Sequence, residues 1–150
     1  MPLVKLNKRF KNKIAELLVK YFEERGMPNY NKKWTIDYLN KGHKKEIKKD
    51  EFFVYKENNK IIGVISLIND VSKLAEIRDE VVFPNYNKNY LKKMLLEIIN
   101  LSKKYKLRKI YALVLKNKME YYKVLGFKKE GLLKNHFIKG EDLTIMSKFI

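Results

Sequence analysis

One segment restricts the possible folds of this chain more than any other, the apolar run Lys109-Ile-Tyr-Ala-Leu-Val-Leu. A short, nearly unbroken apolar run predicts a strand that is buried on both faces of a sheet. Before that strand, apolar residues recur at helical spacing at Leu91, Met94, Leu95, Ile98 and Ile99. Residues 74–83, further upstream, are typical of another strand, which Pro84 ends. Strand, helix and strand in this order form a right-handed crossover, so the two strands are expected to be parallel.

The other segments predict antiparallel strands and further helices around this crossover. Residues 51–56 and 60–68 are strand-like, and the turn Glu57-Asn-Asn between them predicts a β-hairpin. A short strand is expected near Leu3, and two more, joined near Gly140, at the end of the chain. Helices are expected at about 10–22, 33–39 (with Trp34, Tyr38 and Leu39 turned inward) and 119–125, with ends at Gly26 and Pro28, Gly42 and Gly126. The predicted fold class is α/β (α+β): one domain over residues 1–150, with a mixed, mostly antiparallel sheet, one parallel β-α-β crossover and helices on both faces.

The composition argues against several kinds of site. The chain has 150 residues and no cysteine, so neither a disulfide framework nor a thiolate metal site can form within it. Its two histidines, His43 and His136, are far apart in the sequence, so no metal site is expected. No apolar run approaches the ~20 residues that span a bilayer. The first residues also lack the apolar stretch of a signal peptide, so the expected location is cytoplasmic.

The net charge of +17 leaves two interpretations open. A basic protein can bind a polyanion such as RNA, the ribosome, DNA or a phosphate-bearing cofactor. However, almost all of the positive charge is lysine, and it is spread over nearly every segment. Lysine, asparagine and isoleucine are abundant together, as A/T-rich codon usage would produce. Charge alone therefore does not identify a partner.

Four segments between about residue 51 and the C-terminus carry a family resemblance. They are the strand Ala75-Glu-Ile-Arg-Asp-Glu-Val-Val-Phe-Pro, the loop after it, the segment Asn117-Lys-Met-Glu-Tyr-Tyr-Lys-Val-Leu-Gly-Phe, and the closing hairpin from Gly126 to Met146. In order and spacing they resemble the GNAT family of acetyl-CoA-dependent N-acetyltransferases. The resemblance implies that fold and the transfer of an acetyl group.

The resemblance implies that acetyl-CoA, as cosubstrate, binds at the end of the central strand and in the loop that follows. In the family, free backbone N–H groups at the strand end bind the thioester carbonyl, a role that falls here on Val81, Val82 and Phe83. Glycines in the next loop let main-chain N–H groups close on the pyrophosphate. The matching residues of this chain are Asn87, Lys88, Asn89, Tyr90, Leu91 and Lys92. Both family glycines are absent, since Tyr90 and Lys92 stand in their places.

Two interpretations of this loop remain open. In one, asparagine at Asn87 or Asn89 lets the backbone turn and caps the helix, and lysines bind the phosphates by direct charge. In the other, Tyr90 obstructs the pyrophosphate, and binding of CoA is weakened or lost. The lysines concerned are Lys88, Lys92 and Lys93.

The resemblance also assigns a general acid. Tyr122 stands four residues before Gly126, where the family has a tyrosine that protonates the departing thiolate. The alternative is an aromatic residue that packs under the final hairpin. Asn117 is matched to the family's Asn-rich turn, near the pantetheine arm of the cosubstrate.

A general base is needed if the acceptor is an ammonium that must lose a proton. Glu80 is the candidate, because the family usually has an apolar residue at this inward position, and burial raises the pKa of a carboxylate. Alternatively, Glu80 is exposed or forms an ion pair with Arg78. Glu76 and Asp79 are the next candidates for the base.

Two functions follow from the sequence. The resemblance implies an N-acetyltransferase, monomeric or dimeric, that moves an acetyl group from acetyl-CoA to a primary amine of a small molecule or a protein. The amine attacks directly in a ternary complex, and no metal takes part. The alternative is a non-catalytic basic module of the same fold that binds RNA, the ribosome or DNA.

Overall fold

The computed structural model describes residues 2–27, 30–41, 48–70 and 72–150. The strands in this part of the chain are β1 (Leu3–Lys5), β2 (Lys48–Glu57), β3 (Lys60–Asp70), β4 (Leu74–Val82), β5 (Lys109–Leu115), β6 (Lys128–Leu133) and β7 (Leu143–Phe149). The helices are α1 (Lys8–Glu24), α2 (Lys32–Lys41), α3 (Tyr90–Lys104) and α4 (Met119–Lys123), and a 3-10 turn (Lys116–Lys118) precedes the last. Pro28 and Gly42, expected at helix ends, lie outside the described residues.

The strands form one sheet in the order β1-β2-β3-β4-β5-β7-β6. β4 and β5 are parallel where residues 74–77 pair with residues 109–112, and the other neighbouring strands are antiparallel. The β2–β3 turn has positive φ angles of 48° at Asn58 and 60° at Asn59, the left-handed pair that suits a two-residue hairpin turn. The predicted mixed sheet, its crossover and its hairpins are therefore confirmed.

Helices cover both faces of the sheet, as predicted. On one face, α1 and α2 pack their apolar residues against Phe52, Val54, Val64 and Val81. On the other face, α3 and α4 pack against Phe53, Ile65, Ile77 and Ile110. A fully buried side chain of this size contributes roughly 1.5–3 kcal/mol, so the two layers hold the sheet firmly between them. Within the described ranges, none of the helices is long and apolar enough to cross a membrane.

Two expectations about burial are wrong. The strand β5 is not buried on both faces, because Leu113 and Leu115 are only partly buried while Ile110, Ala112 and Val114 are buried. The partly buried face of β5 lines an open cavity instead of a helix layer. Trp34 is not turned inward either, since it is 41% exposed on the wall of the same cavity.

A β-bulge in β4 decides which of its side chains face which helix layer. The pairing of β4 with β3 shifts register between Val64 and Ser66. Opposite this shift, Asp79 has a φ of 53°, a left-handed backbone that residues other than glycine rarely adopt. Because side chains alternate along a strand, one inserted residue reverses the alternation. Accordingly, Ile77 packs in the α3/α4 layer and Val81 packs in the α1/α2 layer.

Candidate active site

A gap opens between the two parallel strands. Their pairing ends at Ile77 and Ala112, although β4 continues to Val82 and β5 continues to Leu115. Beyond that point, the backbone groups of β4 that face β5 are not used by the sheet. Unpaired main-chain donors and acceptors of this kind are available to a ligand.

The direction of the backbone amides separates the three predicted donors at the end of β4. The Phe83 N–H donates to the Ile62 carbonyl at 2.8 Å, so this amide points toward β3 and is engaged there. Alternation along the strand places the Val81 amide on the same side and the Val82 amide on the opposite side. Of the three, the Val82 N–H is therefore the donor that faces the gap.

Tyr122 lies on α4 and is fully buried. Its ring packs edge-to-face on Phe127, with centroids 5.1 Å apart, which fits the alternative that it packs under the final hairpin. Among the described residues its hydroxyl has no partner at full hydrogen-bond geometry, but it is close enough to the Glu80 carboxylate to interact with it. Burial raises the pKa of Tyr122 well above its ordinary value of 10.0, and the negative charge of Glu80 raises it further. The phenol therefore keeps its proton at neutral pH, as a general acid must.

Glu80 forms an ion pair with a residue that the sequence did not indicate. Its side chain is 10% exposed, and the Lys118 Nζ lies 3.5 Å from its Oε1. The same Nζ donates to the Glu80 carbonyl at 2.9 Å. Burial is the largest single influence on Lys118 and opposes its charge, but the attraction of Glu80 and Tyr21 together outweighs burial, so the pKa of Lys118 is raised from 10.5. The cation is therefore retained beside the gap.

The alternatives for Glu80 are resolved by these contacts. Glu80 is buried, so it is not an exposed residue. Arg78, its other suggested partner, donates from Nε to the Glu76 Oε1 at 2.7 Å. Tyr111 also donates to Glu76, at 3.2 Å. Glu76 is thus held by two donors, which makes it a poorer candidate for the base than Glu80.

The loop between β4 and α3 is exposed and is shaped by its own asparagines. The Asn87 Oδ1 accepts a hydrogen bond from the Asn89 N–H at 2.9 Å, while the Asn87 carbonyl accepts from the Tyr90 N–H at 3.0 Å. Asn89 is the N-cap residue of α3 but makes no side-chain cap. The side chain and carbonyl of Asn87 therefore hold the turn. Neither asparagine has a positive φ, and Asn89, one of the two candidates for the cap, makes no side-chain cap. Lys88 and Lys92 are exposed beside this turn.

Tyr90 is held on the β2–β3 hairpin. Its hydroxyl donates to a carboxylate oxygen of Glu57, and its ring lies 6.1 Å from that of Tyr55. Lys93 donates to the same carboxylate at 3.0 Å and lies over the Tyr90 ring. Lys93 therefore already forms an ion pair with Glu57. The side chain of Tyr90 packs against the β2–β3 hairpin.

A cavity of about 530 Å³ lies on the α1/α2 side of the sheet, next to the gap. Its walls combine aromatic rings with charged groups from α1, α2, β4, β5 and the β6–β7 connection. At its rim, Arg25 forms an ion pair with Glu141. The acidic residues that line it are Asp37, Glu76, Asp79 and Glu80. A site of this size suits a small organic molecule.

Asp79 belongs to this cavity by virtue of the bulge. Its Oδ2 accepts hydrogen bonds from the Tyr38 hydroxyl at 2.9 Å and from the Ser66 hydroxyl at 3.2 Å. Burial raises the pKa of the Asp79 carboxyl above its ordinary value, although these hydrogen bonds lower it. Asn117, in contrast, is exposed in the turn before α4. Among the described residues, no group of three or more His, Cys, Asp or Glu side chains is arranged to hold a metal ion.

Solved structures share this fold. The spermidine N-acetyltransferase of Vibrio cholerae, in complex with CoA and spermine, is 22% identical with a TM-score of 0.78, over 98% of this chain and 94% of that one. An aminoglycoside 6′-acetyltransferase of type Ii is 18% identical with a TM-score of 0.76, over 99% of this chain and 96% of that one. An IAA acetyltransferase of Bacillus cereus is 18% identical with a TM-score of 0.70, over 99% and 98%. A search of curated proteins found no match.

The sequence also matches a family model. The model describes the acetyltransferase (GNAT) family and matches residues 11–127, which include the crossover, the loop after β4 and Tyr122. These residues are most of the chain, and the shared fold agrees with the match. The predicted resemblance and the predicted acyltransferase class are therefore confirmed, and this protein belongs to the acetyltransferase (GNAT) family.

Proposed function

We propose that the protein transfers the acetyl group of acetyl-CoA to a primary amine by direct attack within a ternary complex. The observation that carries the proposal is the gap between β4 and β5. The amide of Val82 faces this gap, and Tyr122 and Glu80 are buried near it. The adjoining cavity has the volume that an acceptor needs.

Each group at the gap has one role in the proposed reaction. The Val82 N–H donates to the thioester carbonyl and stabilises the charge that develops on its oxygen. The amine nitrogen forms a bond with the acetyl carbon, and the bond from that carbon to sulfur breaks. An acceptor that arrives as an ammonium first releases one proton to water. Glu80 takes the second proton, which the nitrogen loses on attack, and Tyr122 protonates the departing thiolate. The proton on Glu80 then returns to the phenolate, which restores the enzyme.

The loop after β4 suits the phosphates of the cosubstrate. Asn87 makes the turn without a glycine, and the side chains of Lys88 and Lys92 supply positive charge at the start of α3. The helix dipole adds to the attraction for an anion. The placement of Asn117 near the pantetheine arm, the single domain, the cytoplasmic location and the monomeric or dimeric state stay predictions.

The acceptor is proposed to be a small molecule. The cavity lies between α1, α2 and the β6–β7 connection, and its volume of about 530 Å³ suits a compact ligand. Two of the similar structures are a spermidine N-acetyltransferase and an aminoglycoside 6′-acetyltransferase. Both names support a small amine as the acceptor.

Calorimetric titration with CoA and acetyl-CoA tests the first half of this proposal, and release of the CoA thiol in the presence of primary amines tests the second. We expect a dissociation constant in the range of about 1 μM to 1 mM for acetyl-CoA, the usual range for enzyme substrates. Absence of binding at millimolar acetyl-CoA would reject an acetyltransferase function for this chain.

A second candidate function is supported by a separate basic cavity of about 410 Å³. It is lined by cations and aromatic rings, without a carboxylate among its lining residues: Arg9, Phe10, Lys13, Lys56, Asn59, Lys60, Ile61 and Tyr86. Such a surface suits a nucleic-acid backbone. Binding of a single-stranded RNA probe that weakens steeply with salt, persists in Tyr122→Phe and ignores CoA would favour a non-catalytic module. Binding unchanged at high salt would argue against it.

A further inference from the structure

We propose that Asp79 binds the ammonium group of the acceptor, and that the aromatic wall of the same cavity binds an aromatic or apolar body, so that the acceptor carries a single positive charge. The inference rests on the proposed function and narrows its substrate class. It begins from a residue that the sequence offered only as a weaker candidate for the base. The aromatic wall consists of Tyr30, Trp34 and Tyr38.

The carboxylate of Asp79 is held in place with one oxygen left for a ligand. Both hydrogen bonds that it accepts, from Tyr38 and from Ser66, end on Oδ2. No described residue donates a hydrogen bond to Oδ1. This oxygen is also absent from the buried side-chain atoms that lack a partner, so it is accessible. An oxygen in this position, on a residue that lines the cavity, is suited to accept a hydrogen bond from an ammonium group.

The backbone of Asp79 is strained, and this conformation directs its side chain toward the cavity. Its φ of 53° lies in the left-handed region, and such conformations persist where the surroundings enforce them, often at functional sites. Ser66 supports it here, since its one hydroxyl proton is shared between the Arg78 carbonyl at 3.0 Å and the Asp79 carboxylate at 3.2 Å. The bulge thereby holds the carboxylate in the cavity wall.

The remaining carboxylates of the cavity already have cationic partners. Asp79 differs from them, because among the described residues it forms no ion pair. The paired carboxylates and their partners are Asp37 with Lys41 at 2.9 Å, Glu76 with Arg78 at 2.7 Å, and Glu80 with Lys118 at 3.5 Å. The cavity therefore has one negative charge available to a ligand, which matches one ammonium group. The further ammonium groups of a polyamine would meet these cations.

The aromatic wall offers a face for the rest of the acceptor. The Trp34 and Tyr38 rings are stacked with centroids 5.2 Å apart, and the Tyr30 ring lies 4.4 Å from Trp34. Trp34 is 41% exposed, although contact between its apolar ring and water is unfavourable. A ring or an alkyl chain from a ligand would cover this face, and the ring system would also favour a nearby cation.

Asp79→Asn separates this proposal from a loss of folding. Asparagine tolerates a positive φ and accepts the same two hydrogen bonds. Because burial raises the pKa of Asp79 in the folded protein, removing the charge is expected to leave thermal stability at neutral pH unchanged or higher. The matched control is Glu16→Gln, which removes one negative charge outside the cavity, from an exposed pair with Lys32.

The experiment is calorimetric titration of the CoA-bound protein with phenethylamine, and with spermidine as the polyamine probe. We expect phenethylamine to bind at least about tenfold more tightly than spermidine, and Asp79→Asn to weaken it by about tenfold or more. Glu16→Gln should change it by less than about twofold. Trp34→Ala should weaken the binding of phenethylamine and leave the affinity for methylamine unchanged.

Several results would overturn the inference. They are no binding of phenethylamine to the wild type at about 10 mM, binding unaffected by Asp79→Asn, or a preference for spermidine. Failure of the proposed function looks different, because acetyl-CoA itself would then not bind. In that case the same titration on the protein without CoA still decides whether Asp79 binds an amine.

Discussion

The two halves of the site are built in opposite ways. The gap between β4 and β5 is lined by buried residues from distant segments, such as Glu80 and Tyr122. The loop from Pro84 to α3 is exposed and is shaped by hydrogen bonds between near neighbours, such as Asn87 and Asn89. The first half depends on tertiary packing and the second on local turn chemistry. Substitutions at the gap should therefore change the rate or the stability, whereas substitutions in the loop should change affinity alone.

The largest effect is expected for Tyr122→Phe. Loss of a general acid typically lowers kcat by about 100-fold to 10,000-fold, and the affinity for acetyl-CoA should not change. Because the hydroxyl is buried and has no partner at full hydrogen-bond geometry among the described residues, its removal should not lower the melting temperature. Steady-state thiol release, calorimetry and thermal unfolding measure the three quantities.

The neighbouring Tyr121→Phe is the control for that variant. Tyr121 is only partly buried on the same helix, and its substitution should leave kcat within about twofold. If Tyr122→Phe kept the wild-type kcat, Tyr122 would be a packing residue and the gap would lack its acid.

Gly63→Ala should disturb the gap through the backbone. A Cβ at Gly63 would lie 2.3 Å from the Val81 carbonyl oxygen and 3.2 Å from the Val82 Cα. Backbone atoms cannot yield as a flexible side chain does, so we expect a loss of about 1–3 kcal/mol in the free energy of unfolding. The activity should fall as well, since the Val82 amide is displaced. Urea unfolding gives the first quantity and thiol release the second.

Gly131→Ala is the matched control for that substitution. Its added Cβ would lie 3.2 Å from the Cδ1 of Ile145, a side-chain atom that can move. The expected loss is below about 1 kcal/mol. Equal losses for the two variants would mean that β3 and β4 are not held as closely as the structure has them.

Substitutions in the loop should change the affinity for CoA and leave the stability of the fold unchanged. Replacing both Lys88 and Lys92 by alanine should weaken CoA binding by about tenfold at low salt. The effect should be smaller at high salt, because salt screens exposed charges. Lys103→Ala, in the last turn of the same helix, is the control and should leave CoA binding within about twofold. A double variant with unchanged affinity would mean that the turn binds the phosphates through its backbone alone.

The sequence predicted what depends on local spacing. The helical period around Met94 and the spacing between Tyr122 and Gly126 are properties of short segments, and both led to correct elements of the fold. The bulge at Asp79 was missed, because a single extra residue in a strand leaves no period to read. Lys118 was missed for a different reason. Lysine is abundant throughout this chain, and only the fold, which brings the turn before α4 next to β4, distinguishes the one that meets Glu80.

The smallest expected effect is a pH dependence of the stability, caused by the buried hydroxyl of Tyr122. Burial raises the pKa of Tyr122 above the ordinary 10.0 that applies to the unfolded chain. Below that pH the phenol is protonated in both states, so its contribution to stability is fully present. Above it the unfolded state ionises first, and stability is lost as the pH rises. Relative to Tyr122→Phe, the wild type should keep a constant stability from about pH 6 to 9 and lose about 0.8 kcal/mol by about pH 10.5. Urea unfolding of both proteins across this range measures the difference. No loss up to about pH 10.5 would mean that the hydroxyl ionises as readily in the folded protein as in the unfolded chain, as it would if water reached it.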